Sequence, residues 1–119
     1  MKPHKRLQCW QNSFALVKDL YFLTESFPGS EKFGLISQIR RAAVSVPVNI
    51  AEGAARKSTK EFIWFLHIAL GSMTELDTLI LLSKELGFID SKSCNDSILK
   101  LDTIGKQLYG LIRKLKTEL

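Results

Sequence analysis

A chain of 119 residues with 45% hydrophobic and 24% charged side chains has the size and balance of one globular domain with one core. Only three prolines and seven glycines interrupt it, and clusters of Val, Ile and Thr with turn residues at strand spacing are missing, which argues against a β fold. The formal charge of +5 favours polyanionic partners, although many small basic proteins have none.

The basic start Met1 to Arg6 is not followed by an apolar run, because Gln8, Gln11, Asn12 and Lys18 intervene, so a secretory signal is not expected. The uncharged stretch from Phe62 to Thr74 in the sequence is too short to span a bilayer and contains His67 and Ser72. No membrane association is expected. Cys9 and Cys94 are too thin a framework for a secreted fold, and free thiols suit a reducing cytoplasm.

Four segments with heptad-like apolar spacing follow one another, giving one domain over residues 1–119 with helices at about 8–25, 31–53, 59–86 and 91–118. The first places Trp10, Phe14, Val17 and Tyr21 on one face, with Leu16, Leu20 and Leu23 beside it, and Pro28-Gly29 stops it. The second faces the core with Leu35, Ile39, Ala42, Val46 and Ile50. Pro47 lies inside it, removes the amide that would bond the carbonyl of Ala43, and predicts a kink without a break.

Ser58-Thr59-Lys60-Glu61 has capping-box spacing and opens the third helix, whose spine is Phe62, Leu66, Ala69, Met73, Leu76, Ile80 and Ser83, with Gly87 as its stop. Asp90 or Ser91 caps the fourth, with a spine of Cys94, Ile98, Leu101, Gly105, Leu108, Ile112, Leu115 and Leu119. Connections this short make neighbours antiparallel. The expected fold is therefore an all-α, up-down-up-down four-helix bundle.

Reactive constellations are sparse. Dinuclear metal bundles use Glu-x-x-His pairs, and neither His4 nor His67 has Glu three residues before it, so no metal and no cofactor are expected. The run Gly53 to Ser58 fails as a phosphate loop, with Arg56 where the second glycine should stand and no strand before it. No nucleophile motif is present, and the chain reads as a non-enzyme.

Two other patterns stand out. Gln38, Arg41, Ser45, Asn49 and Glu52 recur every three or four residues along the second helix, with Gln38 and Arg41 expected level with Glu75 and Ser72 of the third, and suggest a polar network between helices or subunits, ahead of a ligand site or a solvated face. The third helix is apolar nearly all round between Phe62 and Ile68. Trp64, Ile68, Leu81 and Leu82 lie off its spine and predict a homo-oligomer interface, unless the flanking helices cover them.

The stretch Phe33-Gly34-Leu35-Ile36-Ser37-Gln38-Ile39-Arg40-Arg41-Ala42-Ala43, with Ser45-Val46-Pro47, Asn49-Ile50-Ala51-Glu52-Gly53, Lys60-Glu61-Phe62, Gly71-Ser72 and Glu75-Leu76, resembles a known family. The family comprises four-helix-bundle proteins encoded in intervening sequences of bacterial 23S ribosomal RNA genes, and the accessory variability protein of diversity-generating retroelements is a relative. The resemblance covers roughly Trp10 to Ile89. It implies a cytoplasmic bundle assembling as a homopentameric barrel, and, from the retroelement member, binding to nucleic acid and to a protein partner such as a reverse transcriptase. Val48 and Asp77 depart from the family pattern, where a small polar residue and Glu are usual.

The functional expectation is a basic homo-oligomer that binds RNA or DNA without catalysis and holds it for a partner. Lys5, Arg6, Arg56, Lys57, Lys60, Arg113, Lys114 and Lys116 are the expected contacts, because up-down topology brings both termini and the turn between helices two and three to one end. The alternative is a protein-interaction scaffold that does not bind nucleic acid.

Overall fold

The computed structural model describes residues 2–119. It contains four long helices, α1 (Gln8–Thr24), α2 (Leu35–Ala54), α3 (Thr59–Glu85) and α4 (Ser91–Lys116), with 3-10 turns at Pro3–Arg6 and Gly29–Glu31 and no strand among the described residues. Their direction follows from contacts between side chains remote in sequence. Asn12 Nδ2 donates to Gln107 Oε1 at 3.0 Å, and Lys100 reaches Asp19 at 2.8 Å, so α1 and α4 run in opposite senses. Arg40 bonds to Tyr21 and Thr24, and Ser45 to Ser72, which sets α2 against both α1 and α3. The result is an up-down-up-down bundle measuring 46 × 22 × 22 Å.

Each helix boundary has a local cause. Ser58 Oγ accepts from the amide of Glu61 at 3.1 Å, and Asp90 Oδ1 from that of Ser93 at 2.8 Å, satisfying donors that a helix start leaves free. At the end of α3, Gly87 adopts φ +80°, while its own amide reaches Lys84 O and that of Phe88 reaches Ser83 O. This paired bond pattern terminates the helix and needs a residue without a Cβ penalty at Gly87. α2 begins at Leu35, after the 3-10 turn, because Glu31 Oε1 turns back to accept the amide of Leu35. It then runs through Pro47 as one helix.

The core takes Leu35, Ile39, Ala42, Val46 and Ile50 from α2 and Leu66, Ala69, Met73, Leu76, Ile80 and Ser83 from α3, as their spacing predicts. α1 differs. Its buried line is Cys9, Ser13, Leu16, Leu20 and Thr24, while the aromatic stripe Trp10, Phe14, Val17 and Tyr21 turns partly outward. Two hydroxyls can occupy core positions because each bonds within its own helix, Ser13 to Trp10 O and Thr24 to Leu20 O. In α4, Ile104 is buried where the spacing points to Gly105, and Leu119 lies beyond the helix, 73% exposed.

α3 is long and apolar enough by composition to cross a membrane, a stretch wider than the uncharged segment Phe62 to Thr74 suggests. Here one side of it packs on α2 and α4, while Trp64, Ile68, Leu81 and Leu82 stay exposed. Both cysteines are buried free thiols at opposite ends of the bundle. Burial pushes the Cys9 thiol up to about 11.

Candidate nucleic-acid interface

The up-down path gathers the N-terminal turn, the α2–α3 connection and the last turn of α4 at one end. Lys5 and Arg6 stand in the first 3-10 turn, Arg56 and Lys57 in the connection, Lys60 in the first turn of α3, and Arg113, Lys114 and Lys116 in the last turn of α4. All eight are exposed. With Lys2, nine cations stand there against Glu52, Glu61 and Glu118, a net charge of +6. The other end carries Lys32, Arg40, Arg41, Lys84 and Lys92 against Glu25, Glu31, Glu85, Asp90 and Asp96, a net charge of zero.

The 46 Å length of the bundle is several times the roughly 8 Å over which physiological salt screens charge, so a bound anion experiences the two ends separately. The ion pair among the described residues is Lys100–Asp19, midway along the bundle, and it leaves the nine end cations unpaired. Arg56 sets its guanidinium 4.8 Å from the centre of the Phe65 ring, which orders the stem without neutralising the charge. Two helix starts and two helix ends meet here, so their dipoles largely cancel and the field comes from the side chains.

The polar stripe on α2 divides. Ser45 and Ser72 share a hydrogen bond of 2.8 Å, and Asn49 Nδ2 donates to both Ser45 Oγ and Ser45 O, so these three join α2 to α3. Gln38, Arg41, Glu52 and Glu75 are exposed and make no side-chain hydrogen bond among the described residues, so the part of the expected network bonded inside one chain is Ser45 and Asn49 with Ser72. Spacing put five of them on one side of α2; it could not show that only the short side chains nearest α3 are within bonding reach.

Trp64, Ile68, Leu81 and Leu82 are all exposed, Trp64 by 66%, so α2 and α4 do not cover them. A second apolar surface escaped the sequence reading. Trp10, Phe14 and Val17 of α1 face Val44, Pro47 and Val48 of α2 across an open groove of about 720 Å³, with His4 edge-on to Trp10 at 4.9 Å and Trp10 stacked on Phe14 at 5.0 Å. The signal was the period of the aromatic stripe, which serves a surface groove as well as it serves a core.

Among the described residues no group of three or more His, Cys, Asp or Glu side chains could hold a metal. Fold and surface together define an all-α four-helix bundle with its charge concentrated at one end. Residues 5–110 match the 23S rRNA-intervening sequence protein family, and the chain belongs to that family. A solved structure with a similar fold is a protein of unknown function from the S23 ribosomal protein family of Bacteroides thetaiotaomicron, with a TM-score of 0.78 and 23% identity over 87% of this chain and 97% of that one. At that identity the likeness is one of fold. No curated protein matches the chain.

Proposed function

We propose that this protein is a non-catalytic, cytoplasmic homo-oligomer that binds RNA or DNA through its cationic end and holds it for a protein partner. The observation that carries the reading is the cluster of nine unpaired cations at one end of a 46 Å bundle whose other end carries no net charge. Lys5, Arg6, Arg56, Lys57, Lys60, Arg113, Lys114 and Lys116 make the phosphate contacts. In a cyclic assembly with aligned subunits, a pentamer being the form that the family resemblance implies, these ends would form a ring and multiply the contacts. Trp64, Ile68, Leu81 and Leu82 supply the interface, since leaving them in water favours association.

The test is a titration of labelled RNA and DNA at a series of salt concentrations. Phosphate binding predicts log K falling linearly with log salt, with a slope of roughly −0.7 to −0.9 per phosphate neutralised. Binding that ignores salt would overturn the reading. The groove lined by Trp10, Phe14, Val44 and Val48 favours a second reading, a protein-interaction scaffold, for which partner capture would persist at high salt and no nucleic acid would bind.

A further inference from the structure

A second cationic feature lies between α1 and α2, and the chemistry there differs from that of the charged end. Between the last turns of α1 and the first turns of α2 is an open cleft of about 510 Å³, lined by Tyr21, Lys32, Phe33, Arg40 and Arg41 among others, with no carboxylate among its lining residues. Phe33 is 89% exposed. Packing does not account for a phenyl ring in water next to three cations, and the ring is not part of the apolar groove beside Trp10.

Arg40 is held in place from beneath. Its Nε donates to Thr24 Oγ1 at 2.9 Å and one Nη to Tyr21 O at 3.1 Å, while the guanidinium lies 4.4 Å from the centre of the Tyr21 ring. Thr24 is fully buried and already donates its own proton to Leu20 O, so it does not need the arginine to be satisfied. The arrangement orders a long side chain that would otherwise sample many rotamers, and it leaves the other guanidinium nitrogen free. Arg41, exposed and without a partner among the described residues, and Lys32, with its ammonium 5.6 Å from the Phe33 ring centre, complete a set of cations around an open aromatic face.

The geometry points to this cleft as a single-strand subsite, in which an unpaired base stacks on Phe33 while Arg40, Arg41 and Lys32 hold the flanking phosphates. The proposal deepens the nucleic-acid reading and rests on it, but it adds a preference that the cationic end does not supply. Phosphate contacts alone do not require unpaired bases, whereas a stacking platform accepts only bases freed from a duplex. A ring available on one face, bordered by cations and free of carboxylates, is complementary to a nucleotide and unsuited to a neutral peptide.

The experiment compares wild type, Phe33→Ala, Phe33→Trp and Arg41→Gln for binding to a 12-nucleotide oligothymidylate and to a duplex of equal length, with backbone amide shifts of the wild type followed by NMR on adding the oligothymidylate and, separately, a poly-glutamate peptide. Phe33→Ala should weaken single-strand binding roughly tenfold with little change for duplex, and Phe33→Trp should restore it. Arg41→Gln should weaken single-strand binding and flatten its salt slope. Shift changes should include Lys32, Phe33 and Arg41.

Unchanged single-strand affinity in Phe33→Ala, with shift changes confined to Arg56, Lys57, Lys60 and the termini, would overturn the subsite and leave the cationic end standing. Equal losses on duplex and single strand would overturn the stacking role. Shifts at the cleft with poly-glutamate alone would replace nucleic acid by an acidic peptide as the occupant, and no binding to either oligonucleotide would overturn both readings.

Discussion

Gly53 sits at a close approach of α2 to α3, just before the turn that carries Arg56, Lys57 and Lys60. A Cβ placed on it would fall 2.7 Å from Phe65 Cβ, 3.0 Å from Phe62 Cδ1 and 3.3 Å from Phe62 O. Carbon atoms pack best at roughly 3.5–4.0 Å, and Phe65 Cβ cannot swing away because it is fixed to the α3 backbone. The helices would have to separate by most of an ångström. Overpacking of this kind costs about 1–3 kcal/mol, against a gain of about 1 kcal/mol from replacing glycine by alanine in a helix. Gly53→Ala should therefore lose up to roughly 2 kcal/mol. At about 2.1 cal/mol/K of unfolding entropy per residue, that lowers Tm by up to roughly 8 °C. Gly105 and Gly110 provide the contrast, since a Cβ at either meets nothing within 4 Å. Gly105→Ala and Gly110→Ala should each raise Tm by roughly 2–4 °C from helix propensity alone. Thermal melts followed by circular dichroism at one protein concentration measure all three. If Gly53→Ala gained stability like the other two, the close approach of α2 to α3 would be wrong.

Three further outcomes follow from side-chain environments. The Cys9 thiol, ordinarily at 9.0 and raised to about 11 by burial, should resist alkylation in the native protein. Because the unfolded chain releases that proton first, the stability Cys9 contributes is complete below about pH 9 and is lost as pH rises toward 11, a slope that Cys9→Ala should remove. Asp90 is held below the ordinary carboxylate value of 3.8 by its hydrogen bonds to Ser93, so its contribution is present above that value and lost as pH falls through its lower folded value; Asp90→Asn, which keeps a capping oxygen, should flatten the acid limb of a stability-against-pH curve. Trp64→Glu combined with Ile68→Lys should shift the protein to smaller species in sedimentation velocity with helicity intact, and a wild type that sediments as a monomer at micromolar concentration would refute the interface.

The helices were legible because their signals are local. Ser58, Asp90 and Gly87 act on amides and carbonyls within one turn of themselves, so their spacing states the boundary directly. α1 was harder to read because both of its faces carry apolar residues at helical period, and the face that packs inward includes Ser13 and Thr24. What admits them is the internal bonding of their hydroxyls, which residue type alone does not reveal. The cationic end was legible through topology, since chain order and short connections fix which turns lie together. Interhelical reach is a matter of side-chain length and angle, so the polar stripe resolved into bonded Ser45 and Asn49 and free Arg41 and Glu52 only in three dimensions. The Phe33 cleft joins a connection to two helices, and no periodicity marks such a place.

The measurement closest to the central claim compares two triple variants in the salt titration of nucleic-acid binding. One neutralises Arg56, Lys57 and Lys60 to Gln at the cationic end; the other neutralises Lys84, Lys92 and Lys106, which are exposed elsewhere, and removes the same formal charge. The account predicts that the first variant binds more weakly across sequences, with a salt slope shallower by roughly 2–3 for each protomer engaged, while the second stays close to wild type. Equal losses in the two would mean that only total charge matters, and undiminished binding by the first would contradict the placement of nucleic acid at that end.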